Sequence, residues 1–103
     1  MRVNLTQDDS GQPRIVQIGD EITVVLDENP TTGYRWHADT DAAGLELTAD
    51  SYQGPQRPAG ASGTRHLTFT ARRPGPVRLR LVKRRSWEQA AVAEFDVPVD
   101  VAD

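Results

Sequence analysis

The chain predicts an all-β fold, an antiparallel sandwich of about seven short strands, and three observations predict it. Apolar and polar residues alternate at period two over most of the length, the spacing of strands with one wet face. No stretch carries apolar residues at convincing helical spacing. Glycine and proline, eight and seven of the 103 residues, fall largely between the alternating stretches, where turns need them. This length makes one domain, residues 1–103, able to bury a single core without staples.

The strands follow in order. A short one covers residues 14–18 and ends at the turn Gly19-Asp20. In the second, Ile22, Val24 and Leu26 face one way, with Glu21, Thr23 and Asp27 opposite. In the third, Tyr34 and Trp36 alternate with Arg35 and His37, and Trp36 reads as core. In the fourth, Leu45 and Leu47 alternate with Glu46 and Thr48. The fifth sets Leu67, Phe69 and Ala71 against His66, Thr68 and Thr70, and the sixth sets Val77, Leu79 and Leu81 against Arg78 and Arg80. The seventh carries Ala93, Phe95, Val97, Val99 and Val101 on one face. Pro98 lies on its other face, and a residue without an N–H marks a sheet edge or a bulge. Paired cysteines around a tryptophan, as in antibody domains, are missing, so "immunoglobulin-like" describes the architecture only.

Three connections stand out: residues 28–33, 53–63 and 84–89. They follow the second, fourth and sixth strands, and loops after alternate strands of a sandwich emerge at one end. The first holds Asn29-Pro30-Thr31-Thr32-Gly33-Tyr34. Pro30 fixes its own φ and pushes Asn29 into an extended conformation. Gly33 is free to take positive φ where the chain re-enters a strand. A loop so constrained loses little entropy on binding. The second holds Gly60-Ala61-Ser62-Gly63, and the third Arg85-Ser86-Trp87. Trp87 follows the end of an alternating stretch, in polar surroundings. It either folds back over the core end or stands exposed as an aromatic anchor of the kind enriched in interface hot spots.

Reactive chemistry is scarce. Without cysteine there is no disulfide, thiolate metal site or cysteine nucleophile. His37 and His66 fall on outward strand positions, the carboxylates form no recognisable pair, and no metal-ligand spacing or phosphate-binding glycine loop before a helix occurs. No cofactor is expected. Net charge is −3, which argues against nucleic acid or an anionic membrane as partner. Seven of the twelve basic residues nevertheless crowd between Arg72 and Arg85. Without interleaved aromatics that cluster reads as a charged sheet face, with Arg78 and Arg80 on one strand and Arg65 on its neighbour. No apolar run approaches a membrane span. As it stands the N-terminus has no signal-peptide core, so localisation stays open between cytoplasmic and, had a leader been removed, secreted or periplasmic.

On these loops the chain resembles the chagasin-like inhibitors of papain-family cysteine peptidases (peptidase inhibitor family I42). That family carries an Asn-Pro-Thr-Thr-Gly-Tyr/Phe loop, a Gly-X-Gly-Gly loop and an Arg-Pro-Trp loop on an immunoglobulin-like sandwich. The first motif is complete here. Ser62 replaces a glycine in the second, and Ser86 replaces the proline in the third. The resemblance implies a monomeric, reversible, non-covalent wedge that enters the cleft of a papain-type peptidase. It implies peptidase contacts at Asn29, Pro30, Thr31, Thr32, Gly33, Tyr34, Gly60, Ala61, Ser62, Gly63, Arg85, Ser86 and Trp87. Ser62 adds a Cβ where close approach is expected, and Ser86 frees a loop that a proline would stiffen. Together they predict weaker or differently selective inhibition rather than a different mode. Two other readings stay open: a non-inhibitory domain that keeps the scaffold to bind another protein or a glycan, and a nucleic-acid binder using the 72–85 face.

Overall fold

The computed structural model describes residues 1–39, 44–54 and 63–103. Among these the chain forms eight strands: β1 (Arg2–Leu5), β2 (Arg14–Gln17), β3 (Glu21–Glu28), β4 (Tyr34–Ala38), β5 (Leu45–Gln53), β6 (Gly63–Ala71), β7 (Gly75–Arg85) and β8 (Ala93–Ala102). They make two four-stranded sheets, ordered β1-β3-β6-β5 and β2-β8-β7-β4. The seven expected strands all form, and β1 is an eighth. The only helical elements among the described residues are single 3-10 turns at Gln7–Asp9 and Pro30–Thr32.

The sandwich is mixed rather than wholly antiparallel. The pairs β3–β6, β5–β6, β4–β7 and β7–β8 are antiparallel, but β1 lies parallel to β3 and β2 parallel to β8. A parallel pair needs a distant partner, because a tight turn cannot join parallel neighbours. The link from β1 to β3 passes through β2 in the opposite sheet, and β2 finds its partner at the far end of the chain.

The alternating apolar faces meet between the sheets. Leu5, Ile22, Val24, Leu26, Leu67 and Phe69 pack from one side, and Trp36, Leu79, Leu81, Phe95, Val97 and Val99 from the other. Burying each such side chain stabilises the fold by about 1.5–3 kcal/mol. Leu47 departs from the expected pattern and is partly exposed. It sits on edge strand β5, where the register slips between Leu47 and Ala49.

Pro98 lies where a missing N–H costs nothing. On the flank of β8 away from β7, the Asp96 carbonyl accepts from the Gly11 amide and the Asp96 amide donates to the Ser10 hydroxyl. Period two puts the Pro98 nitrogen on that same flank. Pairing with β2 begins only at Val99, so β8 is locally an edge at the proline.

Candidate functional site

The first loop is a turn wound around one side chain. β3 runs through Glu28, so the turn begins at Asn29, which is extended (φ −118°) as its following proline requires. Pro30 opens the 3-10 turn and Gly33 closes it in the left-handed region, at φ 81°. The Asn29 side-chain oxygen accepts from the Thr31 amide at 3.1 Å and the Thr31 hydroxyl at 2.7 Å. Its carbonyl accepts from the Thr32 amide at 3.2 Å and the Thr32 hydroxyl at 2.8 Å. The Gly33 amide donates to the Pro30 carbonyl at 3.1 Å. The Tyr34 amide donates to the Thr32 hydroxyl oxygen at 3.3 Å. Asn29 is thus an N-cap that satisfies amides a bare turn would leave open. The stiffness expected from Pro30 comes as much from this asparagine.

The third loop is shorter than expected at its start. β7 carries Lys83, Arg84 and Arg85 in strand conformation, pairing Arg85 with Tyr34, and the chain turns between Arg85 and Ala93. The Glu88 amide donates to the Arg85 carbonyl at 3.1 Å, and the Val92 amide to the Lys83 carbonyl at 2.8 Å. Arg84 Nη1 fans out to the carbonyls of Arg85, Ser86 and Glu88 at 3.3, 3.4 and 3.1 Å. Trp87 is 76% exposed, so it does not fold back over the core.

These two loops touch. The edge of the Trp87 indole comes to 3.4 Å from where a Cβ on residue 33 would sit. The Arg85 guanidinium stacks 4.4 Å from the centre of the Tyr34 ring, a cation–π contact. Its Nε donates to the Thr32 carbonyl at 3.4 Å, and its Nη1 pairs with Glu88 at 3.4 Å. Asn29 through Tyr34 and Arg85 through Trp87 therefore form one continuous surface.

Of the second loop, Gly60, Ala61 and Ser62 lie outside the described residues. Gly63 opens β6, buried and paired with Glu28 at the base of the first loop. A Cβ there would overlap the Gln53 carbonyl and the Tyr52 hydroxyl, so only glycine fits.

Beneath the first loop lies a charged pair that the sequence reading did not single out. Glu28 is 1% exposed. Its Oε1 accepts from the Trp36 amide at 2.8 Å, and its Oε2 from Arg65 Nε and Nη2 at 3.0 and 2.7 Å. Arg65 Nη1 also reaches Asp50 at 3.0 Å. The hydrogen bond to Glu28 raises the Arg65 pKa above its usual value, against the opposing effect of burial. Arg65 is on β6, in the other sheet from Arg78 and Arg80, so the expected shared basic face does not include it.

With the geometry in hand, comparison with known proteins decides the family. The profile of the chagasin family peptidase inhibitor I42 matches residues 15–99. The chain belongs to the chagasin family of peptidase inhibitors. It is 31% identical over 87 residues to amoebiasin-1 of Entamoeba histolytica, covering 82% of this chain and 84% of that one. The solution structure of amebosin superposes with a TM-score of 0.82 at 30% identity over 99% of both chains. The crystal structure of the cysteine protease inhibitor EhICP2 from Entamoeba histolytica shares the fold, with a TM-score of 0.85 at 20% identity over 98% of this chain and 96% of that one. Members of the chagasin family are protease inhibitors, not enzymes.

The remaining side chains agree with that assignment. His37 is half-buried at a cleft of about 320 Å³ beside Arg80, Arg84 and Glu94, and its buried Nε2 has no hydrogen-bond partner among the described residues. His66 Nε2 lies 2.9 Å from the Thr64 hydroxyl. Arg72 pairs with Glu46, Arg78 with Asp96, and Arg80 with Asp39 and Glu94. The basic stretch is thus largely a sheet face neutralised by neighbouring carboxylates.

Proposed function

We propose that this protein is a reversible, non-covalent inhibitor of papain-like cysteine peptidases, with the Asn29–Tyr34 turn entering the active-site cleft and Trp87 gripping one side. The observation that carries the reading is the exposed Trp87 beside Gly33, with Arg85 bonded to Thr32 and stacked on Tyr34, which joins two family motifs into one continuous surface. The order of those motifs on a chagasin-family chain supports the same target class. One structural neighbour, PbICP-C, was solved in complex with falcipain-2; at 14% identity and a TM-score of 0.67 its likeness to this chain is one of fold.

The turn also explains why such a wedge resists cleavage. A peptidase takes its substrate as an extended strand and polarises a free carbonyl. Here the carbonyls of Asn29, Pro30 and Thr32 all accept hydrogen bonds from within the protein. Thr31 is exposed, and its hydroxyl hydrogen is already given to Asn29. It therefore offers the cleft an acceptor. Such a complex would bury a standard interface, about 1,600 Å² in total. Titrating papain with the protein tests the reading. Inhibition that is competitive with substrate and reverses on dilution is the expected result. No inhibition at micromolar protein, or cleavage within residues 29–34, would overturn it.

A further inference from the structure

We propose that the buried Glu28 and its partly buried partner Arg65 form a positioning device that fixes the Asn29–Tyr34 turn relative to the base of the second loop, and that inhibition depends on it. The proposal rests on the reading of that turn as the peptidase-facing element.

The pair sits where three segments meet. Glu28 is the last residue of β3, directly before Asn29, and it faces Gly63 at the start of β6. Its two oxygens are divided between the sheets. Oε2 is clasped by Arg65 of β6, within its own sheet, and Oε1 takes the Trp36 amide of β4, across the sandwich. The β4 amides of odd-numbered residues face β7, as the bond from the Asp39 amide to the Arg80 carbonyl shows. The Trp36 amide therefore points to the free edge of β4, and Glu28 closes that edge. One step further along, the Trp36 indole N–H donates to the Asp27 carbonyl at 2.9 Å. Both strands that frame the turn are thus tied together at its base, through Asp27 and Glu28 on one side and Trp36 on the other.

Arg65 extends the tie toward the second loop. It reaches Asp50 and lies 5.8 Å from the centre of the Tyr52 ring. Tyr52 in turn fills the space left by Gly63. Stability alone does not account for such a pair. Removing two charges from water is costly, and well-packed apolar residues of similar volume often stabilise a fold as well or better. Directional hydrogen bonds fix an angle between strands, whereas apolar contacts tolerate sliding.

The test uses Glu28→Met, Arg65→Met and the double variant, which removes both charges and the acceptor for the Trp36 amide while keeping side chains of similar size. Three quantities are read: the melting temperature, amide hydrogen exchange at Thr31 and Gly33, and the inhibition constant for papain. For the double variant the proposal expects a melting temperature within a few degrees of wild type, at least tenfold faster exchange at both loop amides, and at least tenfold weaker inhibition. A folded double variant with exchange and inhibition within twofold of wild type overturns it. Should either single variant fail to fold because one charge is left buried alone, the double variant still decides. Should the wild type not inhibit papain, the reading of the turn fails, while loop exchange continues to decide whether the pair positions it.

Discussion

The first and third loops reach the same surface by opposite means. The Asn29–Gly33 turn is self-contained: Asn29 alone accepts four hydrogen bonds from the two threonines that follow it, at 2.7–3.2 Å. The turn bearing Trp87 hangs from its own strand, with Arg84 spread over three carbonyls at 3.1–3.4 Å and Arg85 reaching Glu88 at 3.4 Å. The first is held by short bonds from small side chains. The third has backbone bonds from Glu88 and Val92 at 3.1 and 2.8 Å, but its side-chain support is longer and comes from two flexible residues, which carry more rotamer entropy. What makes Trp87 a usable anchor is therefore the shelf it leans on, and that shelf is Gly33.

The contrast can be broken at either end. Trp87→Ala should have the largest effect on binding, weakening inhibition of papain by about 2 kcal/mol, roughly thirtyfold, as hot-spot tryptophans do. Its melting temperature should hold, because the ring is mostly solvent-exposed. Gly33→Ala should destabilise the fold by about 1–2 kcal/mol, seen as a lower denaturation midpoint. A Cβ at that site meets the indole at an ordinary contact distance of 3.4 Å, so the cost comes from the backbone, held at φ 81°. Asn29→Ala should lose about 1 kcal/mol of capping and quicken amide exchange at Thr31. Ser86→Pro sharpens the comparison from the other side. It should tighten inhibition by about 0.4–1 kcal/mol by removing freedom from the looser loop, and titration against papain would read it directly. A Ser86→Pro variant that binds more weakly would mean the turn needs a backbone shape that proline forbids.

Much of this was legible from residue order. Period-two alternation located seven strands, and the Asn-Pro-Thr-Thr-Gly run marked the turn. What escaped has physical reasons. β1 is four residues long with a single fully buried side chain, Leu5, too little for a pattern to register. Its parallel pairing with β3, like that of β2 with β8, depends on partners that local sequence does not encode. The third connection is expected to begin at Arg84, where the alternation has ended, but β7 runs on to Arg85. In fact Arg84 and Arg85 keep strand geometry and spend their charges on holding the next turn.

The Glu28–Arg65 pair left a signal that went unused. Ile22, Val24 and Leu26 face inward, and Glu28 is the next residue of that parity. Leu67, Phe69 and Ala71 face inward, and Arg65 is the preceding residue of theirs. A carboxylate and a guanidinium extending two inward-facing rows must find each other or stay unpaired. That rule, applied to the alternation, would have found them.

The account stands most directly on a double-mutant cycle between Asn29→Ala and Trp87→Ala, measured as inhibition constants for papain. If the first loop is the shelf on which Trp87 rests, Trp87→Ala costs less in the Asn29→Ala background than in wild type, with a coupling of about 0.5 kcal/mol or more. Effects that add within about 0.3 kcal/mol would contradict it, and would make the two loops separate contacts that merely lie side by side.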